Sequence, residues 1–195
     1  MVLHVDHIVL GREDRAAHLA HPDGLLLVVA DGAGGTGDGA HAAESVIAAV
    51  AASPPLTRAA ACVALLADLD RTLRRGETTA VLISLRGDEL HGASVGDSSA
   101  WLVEPHAVRD LSEHQRRKPL LGSGRATPVP FTARLGAATL LLASDGLINY
   151  APRDRIAEIA RTPTLAGLAT RLADLPRLRS GALPDDIAVV LARRG

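Results

Sequence analysis

The chain has 195 residues, 47% of them hydrophobic, and a formal net charge of -1 with histidine neutral. That is enough apolar material for the core of one sizeable domain, while no stretch reaches the ~18 uninterrupted apolar residues of a membrane helix. The near-zero charge gives no electrostatic reason to expect nucleic acid or an anionic membrane as a partner. Cys62 is the only cysteine, which rules out an internal disulfide and a cysteine-built metal cage and fits a reducing cytoplasm. The opening MVLHVDHIVLGRED lacks the basic and then long apolar pattern of a secretory signal. One cytoplasmic domain over residues 1–195, without repeats or a composition shift, is the expectation.

In chain order, Val2 to Leu10 reads as a strand, followed by Gly11-Arg12-Glu13-Asp14 and a segment ending in the turn His21-Pro22-Asp23-Gly24, a hairpin feeding the apolar strand Leu25 to Ala30. That strand runs into Asp31 and a loop with glycines at 32, 34, 35, 37 and 39. Ala43, Val46, Ile47 and Val50 have the spacing of one helix face, and Ser53-Pro54-Pro55 stops that helix. A second helix carries Ala59, Cys62, Val63, Leu66, Leu69 and Leu73 as its buried stripe, with Arg71, Arg74 and Arg75 suiting the C-terminal dipole before Gly76. Cys62 is then a small core residue rather than a nucleophile.

Thr79 to Leu85, Glu89 to Val95 and Ser99 to Val103 read as a three-strand meander with turns at Arg86-Gly87-Asp88 and Gly96-Asp97-Ser98. The polar stretch from Leu111 to Pro130 reads as a long loop or flap, with Arg116, Arg117 and Lys118 as a solvated basic cluster in it. Strand material resumes at Phe131 and again at Thr139 to Ala143. Arg153 to Arg161 and Leu165 to Leu175 look helical, and Ile187 to Leu191 is the last strand. Trp101 and Tyr150 are read as packing residues. This order does not alternate strand and helix, so a doubly wound parallel sheet is disfavoured. Two packed sheets flanked by helices would cover both faces of strands as apolar as Leu25 to Ala30.

Four strand-edge acids repeat one design: Asp31, Asp97, Asp145 and the Asp185-Asp186 pair each sit where an apolar run meets a turn. Antiparallel neighbours would bring Asp145 and Asp185 to one rim, and clustered carboxylates repel unless a cation sits among them. Oxygen-only ligands select Mg²⁺ or Mn²⁺ over zinc. Two such ions acidify water and neutralise phosphate oxygens, so a phosphomonoester is the fitting substrate. Taken singly, Asp31 and Asp145 could instead cap the turns that follow them.

Together, Asp31-Gly32-Ala33-Gly34-Gly35 with Gly39, Thr78-Thr79, Val95-Gly96-Asp97-Ser98, Leu142-Ala143-Ser144-Asp145-Gly146-Leu147 and Asp185-Asp186 before Ile187 resemble the successive motifs of the metal-dependent type 2C (PPM) serine/threonine protein phosphatases. They come in that family's order over nearly the whole chain. The resemblance implies an α+β, four-layer α-β-β-α sandwich with two mostly antiparallel sheets and a binuclear Mn²⁺ or Mg²⁺ centre, with a possible third ion. It implies that Asp31 bridges the metals, that Gly32 offers its backbone carbonyl to one of them, that Asp145 and Asp185 complete the first, that Glu13 serves the second, and that Asp97 holds the third. Asp186 is the alternative to Asp185.

The implied activity is hydrolysis of phosphoserine or phosphothreonine in a partner protein by water activated at the metals. The alternatives are a degenerate module that binds or regulates without turnover, and a hydrolase of small phosphoesters. Two departures from the family pattern stand out. Val9 occupies the place of the family's phosphate-gripping arginine, leaving Arg12 as the nearest substitute, and Ala33 stands where some members carry an acid histidine. His114 resembles a family element rather than a catalyst.

Overall fold

A computed structural model describes residues 2–21, 24–33 and 37–195. Turn residues Pro22 and Asp23 and motif glycines Gly34 and Gly35 lie outside the described residues. The chain begins with strands β1 (Leu3–Leu10), β2 (Arg15–His21) and β3 (Gly24–Ala30), then helices α1 (Gly39–Ala51) and α2 (Ala59–Thr72). Strands β4 (Ala80–Arg86), β5 (Glu89–Val95), β6 (Ser99–Val103), β7 (Val108–Asp110), β8 (Val129–Arg134) and β9 (Thr139–Ala143) follow. Helices α3 (Asp145–Ile148), α4 (Arg153–Ala160) and α5 (Leu168–Ala173) precede the final strand β10 (Ile187–Arg194).

The strands form two five-stranded sheets, β1-β10-β9-β6-β7 and β2-β3-β4-β5-β8, and every pairing within them is antiparallel. Alternation along each strand then decides the layers. In β3, Leu26, Val28 and Ala30 face α1 and α2, whereas Leu27 and Val29 meet Leu140, Leu142 and Val190 of the other sheet. In β9 and β10, Leu141, Ala143, Val189 and Leu191 face α3, α4 and α5. The α-β-β-α order expected from the motifs is the order observed, because each central strand carries two apolar faces that both need cover.

Four local readings change. The three-strand meander is broken: β4 and β5 form a hairpin, but after Gly96-Asp97-Ser98 the chain crosses to the opposite sheet, where β6 pairs with β9. A turn signal marks a reversal without saying which sheet receives the next strand. Asp145 starts the short helix α3 rather than a simple turn, and α5 is shorter than its apolar pattern. Tyr150 is half exposed and does not pack as a core residue, while Trp101 is buried with its indole N–H on Asp110 at 3.1 Å. The segment after Leu111 is a loop, as its composition suggests, yet it is tightly anchored. Leu121 exchanges both backbone hydrogen bonds with Thr78, at 3.0 and 3.1 Å.

Asp70 of α2, 6% exposed, accepts the backbone N–H of Gly122, Gly124 and Ala126 at 2.9, 3.0 and 2.9 Å. One carboxylate thereby satisfies three donors of a segment with no ladder of its own, through charge-assisted bonds. Asp70→Ala is expected to lower stability by about 2 kcal/mol or more, since stranded N–H groups cost more than the bonds contributed. A urea unfolding curve checks this, with Asp68→Ala, on the exposed face of the same helix, as the near-neutral comparison.

Candidate metal centre and phosphate cleft

Each sheet sends acids to the same rim. In the first, β9 ends at Ala143 opposite Val189, so the chain leaving β9 and the chain entering β10 are neighbours. Ser144 holds them together: its N–H donates to the Ala188 carbonyl at 3.0 Å, and its hydroxyl accepts the Ala188 N–H at 2.9 Å. Asp145 therefore lies beside Asp185-Asp186. Gly146 is required at this contact, because a Cβ there would lie 1.9 Å from the Asp186 carbonyl oxygen.

In the second sheet, the end of β3 is stitched by the Thr78-Thr79 pair. The Asp31 N–H donates to Thr79 Oγ1 at 3.0 Å, the Asp31 carbonyl accepts from the Thr79 N–H and the Thr78 hydroxyl at 2.8 Å each, and Thr79 Oγ1 lies 2.6 Å from Ser98 Oγ. Those bonds tie Asp31 to the crossover that carries Asp97. The start of α1 presses directly on this strand end: a Cβ on Gly32 would meet Gly39 at 2.4 Å, and one on Gly39 would meet Gly32 at 2.7 Å. Two facing glycines allow the approach.

The result is a cleft of about 630 Å³ lined by Glu13, Asp31, Gly32, Asp97, Asp145 and Asp185, together with Arg117 and Lys118. A second opening, about 460 Å³, shares Glu13, Asp31, Gly32 and Asp185 and adds Arg12, Asp14 and Asp186. All six residues assigned to metals by the sequence thus lie on one cleft, whereas Arg12 lies at the second opening only. Among the described residues, no three acidic, histidine or cysteine side chains close tightly enough on one point to hold an ion as they stand.

A family profile described as Stage II sporulation protein E (SpoIIE) matches residues 21–195. The chain belongs to the SpoIIE group of PPM-type phosphatase domains. Its fold matches the S. agalactiae serine/threonine phosphatase with a TM-score of 0.85 over 100% of both chains, at 18% identity. It also matches the catalytic domain of the serine/threonine phosphatase PstP, in complex with two manganese ions, with a TM-score of 0.78 at 25% identity, covering 98% of this chain and 97% of that one. PppA, described as a key regulatory component of T6SS in Pseudomonas aeruginosa, matches with a TM-score of 0.81 at 19% identity, covering 99% and 98%. No curated protein matches the sequence.

Within this PPM-type fold the acid pair after β1 is divided between cleft and interior. Glu13 is partly exposed on the cleft, while Asp14 is 1% exposed and its Oδ2 has no hydrogen-bond partner among the described residues. The adjacent Glu-Asp pair was the signal for Asp14, but sequence does not say which member turns inward. Asp186 accepts the backbone N–H groups of Arg12 and Glu13 at 2.5 and 2.6 Å, so it holds the β1–β2 turn against the site while Asp185 faces the cleft. Arg117 and Lys118, read as a solvated cluster, are exposed and also line the cleft. Arg117 Nε donates to Asp97 Oδ2 at 2.6 Å. Loop composition alone carries no information about what lies beneath it.

Burial and mutual repulsion raise the proton affinity of Asp14, Asp31 and Asp145. Burial is the largest cause pushing the Asp31 carboxyl up to about 9, followed by the charges of Asp14 and Asp145. Burial likewise pushes Asp14 up to about 7, against the pull of the Ser144 hydroxyl and with help from Asp186. Asp145 is raised by burial, then by Asp97 and Asp185. The donors are all oxygen, carboxylates and the Gly32 carbonyl, and an unpartnered buried carboxylate oxygen points to missing positive charge, so the residues present fit hard divalent cations.

A pH linkage follows. Asp31 ionises at 3.8 as a free side chain and near 9 in the fold, so between those values the folded form holds the extra proton and stability falls as pH rises. Cations compete with those protons, so Mn²⁺ should raise the Tm more at about pH 8 than at about pH 5.5 and release protons on binding. Thermal melts with and without Mn²⁺ at both pH values check this; equal increments would remove the linkage.

Proposed function

We propose that the protein is a metal-dependent phosphoprotein phosphatase acting on phosphoserine or phosphothreonine. The observation that carries this reading is the convergence of Asp31 from one sheet with Asp145 and Asp185 from the other on a single open cleft that also bears two cations. In this reading Asp31, Asp145, Asp185, Glu13 and the Gly32 carbonyl would hold two Mn²⁺ or Mg²⁺ ions, with Asp31 shared and Asp145 and Asp185 on the side of the other sheet. Bound there, the cations would supply Lewis-acid chemistry that acidifies water and shields phosphate charge. PstP, which shares the fold, is described with two manganese ions, which supports the same count here.

The protein's own part is positional. The Thr78-Thr79 stitches and the Ser144 clamp hold the acids on backbone that is hydrogen-bonded across both sheets. Asn149 donates to Asp145 Oδ2 at 2.9 Å and sets the direction of that carboxylate. No side-chain nucleophile is needed, and with Ala33 at the place of an acid histidine, the leaving alkoxide takes its proton from water. A rim site that opens to solvent suits a phosphorylated side chain presented by a partner protein. Among the described residues no helix is long and apolar enough to cross a membrane.

Val9 packs into the layer between the sheets, opposite Ala188, so no cation reaches phosphate from that position. This favours, as a second reading, a module that keeps the metals without turnover. Mn²⁺-dependent hydrolysis of p-nitrophenyl phosphate and of a phosphoserine peptide separates the two. The phosphatase reading expects turnover in the parent and a loss of about a hundredfold or more in Asp31→Asn and Asp145→Asn. Calorimetric Mn²⁺ binding in a parent without turnover would establish the module instead.

A further inference from the structure

We propose that the loop after β7 supplies the phosphate grip that position 9 lacks, with Arg117 as the bidentate donor and Lys118 as the second cation. This rests on the phosphatase reading and assigns the substrate-binding groups within it. Among the described residues, Arg117 and Lys118 are the only cationic side chains lining the larger acidic cleft, whereas Arg12 lines the second opening beside Asp185 and Asp186. Arg117 is aimed by a single bond, Nε to Asp97 Oδ2. Among the described residues its two terminal nitrogens make no further hydrogen bond, and they are the pair that a phosphate dianion takes through two parallel hydrogen bonds.

The loop is built to hold that aim. Just beyond Lys118, Leu121 pairs with Thr78, and Thr78 also holds the Asp31 carbonyl. Asp70 then clamps the following backbone through three N–H groups. The guanidinium and the Asp31 carboxylate are thereby referenced to the same residue, and the separation between phosphate grip and acid cluster is set by Thr78 rather than by a free flap. Asp97 takes a corresponding role: its carboxylate steers Arg117, so the guanidinium supplies the positive charge that a third ion would bring to this acid.

The test uses the full chain loaded with Mn²⁺ and inorganic phosphate as the probe, measured by titration calorimetry, alongside KM for p-nitrophenyl phosphate. Arg117→Ala should weaken phosphate binding about tenfold or more, with Lys118→Ala weaker in effect and Arg117→Lys recovering part of the loss. KM should rise in step. Arg116→Ala, on the same loop and lining neither opening, should match the parent, as should the Tm of every variant, since Arg117 and Lys118 are exposed. Phosphate affinity in an Arg117→Ala/Lys118→Ala double variant equal to the parent's would overturn the assignment. So would a loss of phosphate binding matched by an equal loss of Mn²⁺ affinity, which would place the effect at the metals. A parent that neither binds phosphate nor hydrolyses the ester would overturn the phosphatase reading, and this one with it.

Discussion

Mutual repulsion among carboxylates held at one rim is the constraint around which the structure is arranged. Asp14, Asp31 and Asp145 are pressed together by two sheets that are themselves locked by a continuous apolar layer. Such a group can be tolerated only with protons or cations among the acids. The surrounding hydrogen bonds serve to resist the spreading that repulsion would otherwise cause. Ser144 clamps β9 to β10, Thr78 and Thr79 clamp β3 to the crossover, and Asp186 clamps the first turn.

The four-layer sandwich is what makes this arrangement possible. A single sheet could deliver Asp145 beside Asp185, because antiparallel neighbours exchange ends. Adding Asp31 requires a second sheet stacked face to face, and the close Gly32–Gly39 contact lets α1 begin immediately behind it. The rim is therefore rigid on the side that carries the acids. The cationic side is carried by a loop, and that loop gains its order from Asp70 and Thr78 rather than from a ladder of its own.

Charge is divided across the cleft in the same way. The acids come from strand ends, where burial raises the proton affinity of Asp31 and Asp145, and the cations come from exposed positions, where solvation keeps them charged. Arg117 stays protonated, held further up by its bond to Asp97. A phosphomonoester dianion is complementary to this division only when positive charge also sits among the acids, which links substrate affinity to cation loading.

Composition and periodicity determined a great deal. The runs Leu25 to Ala30, Thr139 to Ala143 and Ile187 to Leu191 are apolar on both faces, which is legible in a linear string as strands needing two layers of cover, and acids placed at their ends read as a site. The motif order carried the family and the layer order of the sandwich. Tertiary structure alone decided the rest. Whether Gly96-Asp97-Ser98 closes a hairpin or crosses between sheets depends on which partner edge is open, a non-local fact. Which of Glu13 and Asp14 turns inward depends on Asp186, 173 residues from Glu13 along the chain, holding the turn. The place of Arg117 and Lys118 over the cleft depends on Asp70, whose partners lie 52 to 56 residues away. Periodicity reports the environment of a residue relative to its neighbours in sequence, and it carries no information about contacts that only folding brings into reach.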